Sequence, residues 1–243
     1  MDAVNAEGPP DTEDPAATIA ANVAAVRARI AAAARTVGRD PGSVRLVAAT
    51  KTVGPDAVRA ALDAGVDAVG ENRAQELLEK APALTAPGRS VPWHFIGRLQ
   101  RNKVRALAPW IACWESVDRI ETGAAIARHA PGAVVFIQVN VGEEPQKGGC
   151  PPDGVGALVD DLHGVGLDVR GLMAVPPQGV EPGPYFDAVV ARAEELGLPE
   201  RSIGMTGDFE AAVAAGATLV RVGKAIFGAR TGSPRPPTGP ADR

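Results

Sequence analysis

The chain has 243 residues, 45% of them hydrophobic but only 4% aromatic, and a formal net charge of −4. That length suits one large α/β domain with an aliphatic core, and the mild acidity argues against nucleic acid or an anionic membrane as the main partner. Two cysteines, Cys113 and Cys150, in no paired spacing exclude a disulfide framework and a zinc site, so no metal is expected and the cytoplasm is the expected compartment.

In chain order, residues 1–16 are acidic and Pro-bearing, without the apolar stretch of a secretory signal, and read as a disordered tail. Residues 17–230 read as one domain, and residues 231–243 as a second, Pro-rich disordered tail. No run of about eighteen apolar residues is found, so no membrane span is expected. Thr18–Val37 carries Ile19, Val23, Val26 and Ile30 at spacings of three and four, which predicts an amphipathic helix with Thr18 as its N-cap. Short apolar runs then alternate with helical patterns. The predicted strands are Val44–Ala49, Ala68–Gly70, Trp93–Ile96, Ile111–Glu115, Val134–Val139, Val169–Ala174, Ser202–Gly204 and Leu219–Val222. The predicted helices are Pro55–Ala64, Ala74–Lys80, Lys103–Ala108, Ile120–His129, Asp153–His163, Tyr185–Leu196, Asp208–Ala215 and a turn at Lys224–Phe227. Eight such units predict parallel strands with right-handed crossovers, closed into a (β/α)₈ TIM-type barrel behind an extra N-terminal helix. An open doubly wound sheet is the structural alternative, because strands as short as Ala68–Gly70 are easily miscounted.

In a closed barrel, functional groups gather where strands end. Val47, Ala49 and Lys51 alternate onto one side of the first strand, and small Ala49 leaves room beside the lysine. A partly desolvated lysine there is expected to favour the neutral amine, which can attack an aldehyde and form an imine. On position alone, a solvated lysine at a loop start is the simpler reading. Near the other end of the chain, Gly204-Met205-Thr206-Gly207 precedes one helix and Arg221-Val222-Gly223 precedes a short one. Barrels often bind phosphate between these two loops through backbone amides at a helix start, and Thr206 and Arg221 add a hydroxyl and a charge. The plainer alternative makes Gly207 and Gly223 turn residues and Asp208 a helix cap. A lysine and such loops together describe a ligand with an aldehyde and a phosphate.

These residues carry a resemblance. The segments LVAATKT (46–52), VGEN (69–72), WHFIGRLQRNK (93–103), VNVGEEPQKGG (139–149), VRGLMAVP (169–176) and IGMTGDFEAAVAAGATLVRVGKAIFGAR (203–230) are similar to the pyridoxal phosphate homeostasis protein family. That family's fold resembles the N-terminal barrel of alanine racemase, without the racemase's C-terminal β-domain. The resemblance implies that Lys51 holds pyridoxal 5′-phosphate (PLP) as a Schiff base and that Met205, Thr206, Arg221 and Gly223 contact its phosphate. It also implies that Asn72, His94 and Met173 line the cofactor pocket. The chain departs from the family at Thr50 and Thr206, often Ser, and at Gly148, where a hydroxyl is lost from the usual KSG triplet.

Other residues keep two readings. His94 is either a pocket hydrogen-bond partner or a core histidine satisfied by a buried neighbour. Asn72 either orders the pocket with Glu71 or caps the following helix. Arg98, Arg101, Lys103 and Arg105 form a basic patch read first as solvated surface, and otherwise as a protein or anionic-metabolite contact. Met173 is a packing residue, and His129 and His163 complement helix C-termini. Function divides between a PLP carrier acting in homeostasis and a PLP-dependent amino-acid racemase. Racemisation needs an acid–base group on each face of the α-carbon, and the single tyrosine, Tyr185, reads as a helix-start packing residue. A carrier without efficient turnover is therefore favoured, with PLP as ligand, apo PLP-dependent enzymes as transient partners, and a monomeric state. A PLP-free Schiff-base aldolase fits the loops less well.

Overall fold

The computed structural model describes residues 14–86, 90–144 and 148–228, so most of both predicted tails lies outside the described residues. Eight parallel strands close on themselves: β1 (Arg45–Ala49), β2 (Ala68–Glu71), β3 (Trp93–Phe95), β4 (Ile111–Val117), β5 (Val134–Val139), β6 (Asp168–Ala174), β7 (Glu200–Met205) and β8 (Leu219–Val222). The first strand pairs with the last, Val47 beside Arg221 and Ala48 beside Val222, which excludes the open sheet. All predicted strands are present, with no end displaced by more than two residues.

Preceding them is α1 (Pro15–Thr36); α2 (Pro55–Asp63), α3 (Ala74–Leu84), α4 (Val104–Leu107), α5 (Ile120–His129), α6 (Val155–Gly164), α7 (Gly183–Glu195), α8 (Phe209–Ala215) and α9 (Lys224–Phe227) follow the strands in turn. Two boundary expectations are corrected. Helix α1 starts at Pro15, capped by the Asp14 carboxylate on the Ala16 amide, because Pro is compatible with a first helical turn. Thr18 is therefore inside the helix, its hydroxyl donating to the Asp14 carbonyl. Helix α3 runs past Lys80 to Leu84, with Pro82 inside its last turn and Leu77, Ala81 and Leu84 buried beneath it.

The long first helix completes the outer ring. Helix α9 has a single turn and cannot cover β8, so α1 packs between α2 and α8 and over α9. Its length and mean hydropathy of 1.2 would suffice to cross a membrane. In the fold its bulky apolar residues Ile19, Val23, Val26, Ile30 and Ala34 are buried against the barrel. Its basic residues anchor the rest: Arg27 pairs with Asp67 at 2.8 Å, and the Arg29 guanidinium lies 4.5 Å from the Phe209 ring centre and binds Glu210.

Inside the barrel, Val47, Ala68, Cys113, Phe136, Met173 and Leu219 form one apolar layer. Two residues further along five of these six strands, the same inward face presents Ala49, Gly70, Glu115, Gln138 and Arg221. The interior thus changes from apolar to polar toward the C-terminal ends of the strands.

Candidate functional site

Closure sets the ends of β7, β8 and β1 side by side. Lys51 follows β1 by two residues, Thr206 follows β7, and Gly223 follows β8. The Gly223 amide faces the Thr206 hydroxyl at 3.4 Å. A Cβ on Gly223 would lie 2.9 Å from the Ala49 carbonyl oxygen, so this seam closes only around a glycine. Gly223→Ala is expected to cost about 1–3 kcal/mol by overpacking, measured by urea unfolding. The first amides of α9 have no intrahelical acceptor, as at any helix start. Asp208 accepts the Met205 amide at 2.6 Å, which closes the β7 loop rather than capping α8, and Met205 is exposed.

Lys51 is exposed, not partly desolvated as its alternation predicts. The reason is local. The strand stops at Ala49, and the chain turns at Thr52, whose φ is +64°. Its neighbours are fixed where its own side chain is not. Thr50 is fully buried, with its amide on the Gly70 carbonyl at 2.8 Å and its hydroxyl 3.2 Å from Glu71 Oε2. Beneath it the buried Lys80 ammonium donates to the Thr50 carbonyl at 2.7 Å and Glu71 Oε2 at 2.6 Å, and reaches Glu76 Oε2 at 3.3 Å. Glu76 Oε2 also accepts the Thr52 amide at 2.7 Å. Burial pushes the Glu76 carboxyl up, but the Thr52 amide, Lys80 and Arg73 outweigh it and hold it below its ordinary value. Glu71 Oε1 accepts the Asn72 amide at 2.8 Å, so Glu71 orders the start of this loop. Asn72 makes no cap on α3.

Deeper in, His94 is a core histidine. Its Nδ1 lies 2.5 Å from Glu115 Oε1, and the Ser202 hydroxyl donates to Glu115 Oε2 at 2.6 Å. Arg221 is 4% exposed and donates to the Ser202 carbonyl, the Ser202 hydroxyl and the Ala174 carbonyl at 2.5, 2.7 and 2.9 Å. It shares the inward face of β8 with Leu219, and its guanidinium is held by Ser202 of β7 and by Ala174 at the end of β6. Burial lowers the Arg221 pKa, an effect opposed by Glu115 and Asp208. Burial raises that of Glu115, but His94, Arg221 and Ser202 prevail and hold its carboxyl below the usual value. Burial, and then Glu115, push the Cys113 thiol well up, so Cys113 stays a thiol. His94, Cys113 and Glu115 place three metal-binding atoms within 4.8 Å of one another, a grouping the cysteine spacing does not reveal. Here the carboxylate is already occupied by His94 and Ser202.

On the β2–β6 side of the mouth a cavity of 190 Å³ is lined by Asn72, Arg98, Ser116, Gln138 and Met173, among others. Asn72 and Met173 thus meet at one opening. Arg98 joins them from the basic patch, while Arg101, Lys103 and Arg105 are exposed. Tyr185 lies in the first turn of α7, half-buried. Lys147 lies outside the described residues.

Glu115, Ser202, Glu76 and Lys80 are the residues that sequence reading passed over. Glu115 had a signal: a charge in phase with Cys113 on an otherwise apolar strand needs a buried partner. Lys80 lies four residues after Glu76, which alone reads as an ordinary surface pair.

The model of the alanine racemase N-terminal domain family matches residues 21–231. The pyridoxal phosphate homeostasis protein of Pseudomonas aeruginosa is 42% identical over 224 residues, covering 88% of this chain and 96% of its own length. That of Escherichia coli K12 is 38% identical over 228 residues, covering 87% and 97%. The structure of PipY from Synechococcus elongatus with PLP bound superposes with a TM-score of 0.75 at 32% identity, covering 86% of this chain and all of that one. On its barrel, its strand-end residues and these alignments, the chain belongs to the pyridoxal phosphate homeostasis protein family.

Proposed function

We propose that this protein binds PLP as a Schiff base on Lys51 and acts in PLP homeostasis, buffering or delivering the cofactor, as a cytoplasmic monomer. The observation that carries the reading is the β1–β8 seam. There an exposed amine, a hydroxyl and a glycine amide come from three adjacent strand ends, at the one place where a Cβ would meet the Ala49 carbonyl. That narrow cradle fits a phosphate, and the amine beside it fits an aldehyde. Thr206 and Gly223, with the backbone of the Met205 loop, hold the anion. The Arg221 guanidinium contributes buried positive charge from below. Asn72 and Met173 border the ring side of the opening, and His94 lies deeper, held by Glu115.

When bound, PLP supplies an electron sink for amino-acid chemistry. The chain's own groups serve holding better than turnover. Lys51 is an exposed base on one face, while the buried acids Glu71 and Glu115 are engaged by Lys80 and by His94 and Ser202. Tyr185 sits on α7, outside the strand-end cluster. Transient contact with apo PLP-dependent enzymes follows from a carrier role.

The test is peptide mapping after borohydride reduction of the PLP-loaded protein. A pyridoxyl group on the Lys51 peptide is the expected result. Label confined to another lysine overturns the assignment, and amino-acid racemisation at ordinary enzyme rates overturns the carrier reading.

A further inference from the structure

We infer that Lys80, gripped by Glu71 and Glu76, is a positioning residue that holds the backbone on both sides of Lys51. The inference rests on the reading of Lys51 as the cofactor-bearing amine. The residue before Lys51 is fixed by its N–H on the Gly70 carbonyl, its hydroxyl on Glu71 and the Gly70 carbonyl, and its own carbonyl, which accepts from Lys80 Nζ and the Val53 amide. The residue after it is fixed by Thr52 N–H on Glu76 Oε2, the same oxygen that Lys80 approaches. One buried ammonium therefore ties the end of β1, the acid that ends β2 and a helix acid into one unit.

An ordinary stabilising ion pair has no need of this arrangement. The Lys80 side chain is 8% exposed and that of Glu71 not at all, and burying two such charges recovers little net stability. The pair's return is geometric. Thr52 holds a left-handed backbone without being glycine, a strained state that persists only where its surroundings impose it. Here the imposing contacts are the Val53 amide on the Thr50 carbonyl at 3.0 Å, which closes the turn, and the Glu76 carboxylate on the Thr52 amide, which Lys80 and Arg73, 3.1 Å from its other oxygen, keep ionised and in place. The Lys51 side chain, which makes no hydrogen bond or ion pair among the described residues, takes its direction from this clamped backbone.

Four variants, Lys80→Met, Lys80→Arg, Glu76→Ala and Ile30→Val, together with Lys51→Ala, decide the matter. The readouts are amide hydrogen exchange over residues 50–53 of the PLP-free protein, the PLP dissociation constant from imine absorbance, and Tm. Lys80→Met is expected to speed exchange at Thr52 and weaken PLP binding, each by about tenfold or more, since small displacements of a reacting group carry costs of that size. Lys80→Arg is expected to recover part of both. Glu76→Ala leaves the buried Lys80–Glu71 pair intact and carries the same expectation should Lys80→Met fail to fold. Ile30→Val, a buried change in α1 remote from the loop, is expected to lower Tm while leaving exchange at Thr52 and PLP affinity alone. Unchanged Thr52 exchange and PLP affinity in Glu76→Ala and in folded Lys80→Met overturn the positioning role while the Lys51 reading stands. So does an affinity loss that Ile30→Val reproduces at equal loss of Tm. An imine that survives in Lys51→Ala overturns both.

Discussion

Lys51→Ala is expected to abolish the imine absorbance of PLP completely and to leave the fold intact. The two halves of this expectation have different origins. The imine needs a nitrogen, and alanine has none to give. The fold does not need Lys51, because its side chain is exposed at the barrel lip and the hydrogen bonds around it belong to Thr50 and Thr52. Surface changes of this kind stay within about 0.5 kcal/mol. Circular dichroism should therefore match that of the parent, with Tm nearly unmoved. An unaltered absorption band in the variant would place the imine on another amine, and a large fall in Tm would mean that Lys51 bears structural load that its exposure denies.

Glu115→Gln is expected to be the most damaging single change in the barrel interior. The carboxylate is fully buried and holds His94 on one oxygen and Ser202 on the other, with Arg221 at 4.0 Å. Removing its charge leaves a buried guanidinium without its counter-charge, which costs about 3–5 kcal/mol, or roughly 6–20 °C in Tm for a chain of this size. A pH dependence accompanies it. The Glu115 carboxyl is held below its ordinary value of 4.5 in the folded state, so the unfolded chain binds the proton more readily. Its stabilisation is complete above that ordinary value and is lost as pH falls through the lower folded one. Tm measured against pH should thus fall more steeply in acid for the parent than for Glu115→Gln. Parallel curves would show that Glu115 does not titrate with unfolding.

Eight alternations of apolar run and amphipathic helix predict a closed barrel correctly because each element's period is a local property of its own residues. Errors fell at boundaries. Nothing in Thr18 marks it as less suitable a cap than Asp14, and only the packing of α1 between α2 and α8 decides how many turns are worth forming. The length of α3 was hidden for a similar reason: Pro82 reads as a stop, yet Leu84 beyond it is buried. The exposure of Lys51 agrees with the simpler reading of a solvated lysine at a loop start, and alternation misleads there because it continues on paper after the strand has ended. Asn72 and Met173 line one cavity, and Arg221 turns inward by the same period of two that buries Leu219.

Amino-acid order alone determined the βα repeat, the aliphatic core, the lysine at the first strand end and the glycine-bearing loops after the last two, since periodicity and residue type are written in short windows. Only tertiary structure decided what those residues face. Closure brings β8 against β1, placing Gly223 on Ala49 although 174 positions separate them. It also buries Lys80 beneath Thr50 and joins Glu115 to His94, Ser202 and Arg221 from four strands. Such contacts depend on the strands' angular order around a barrel, which no local pattern encodes.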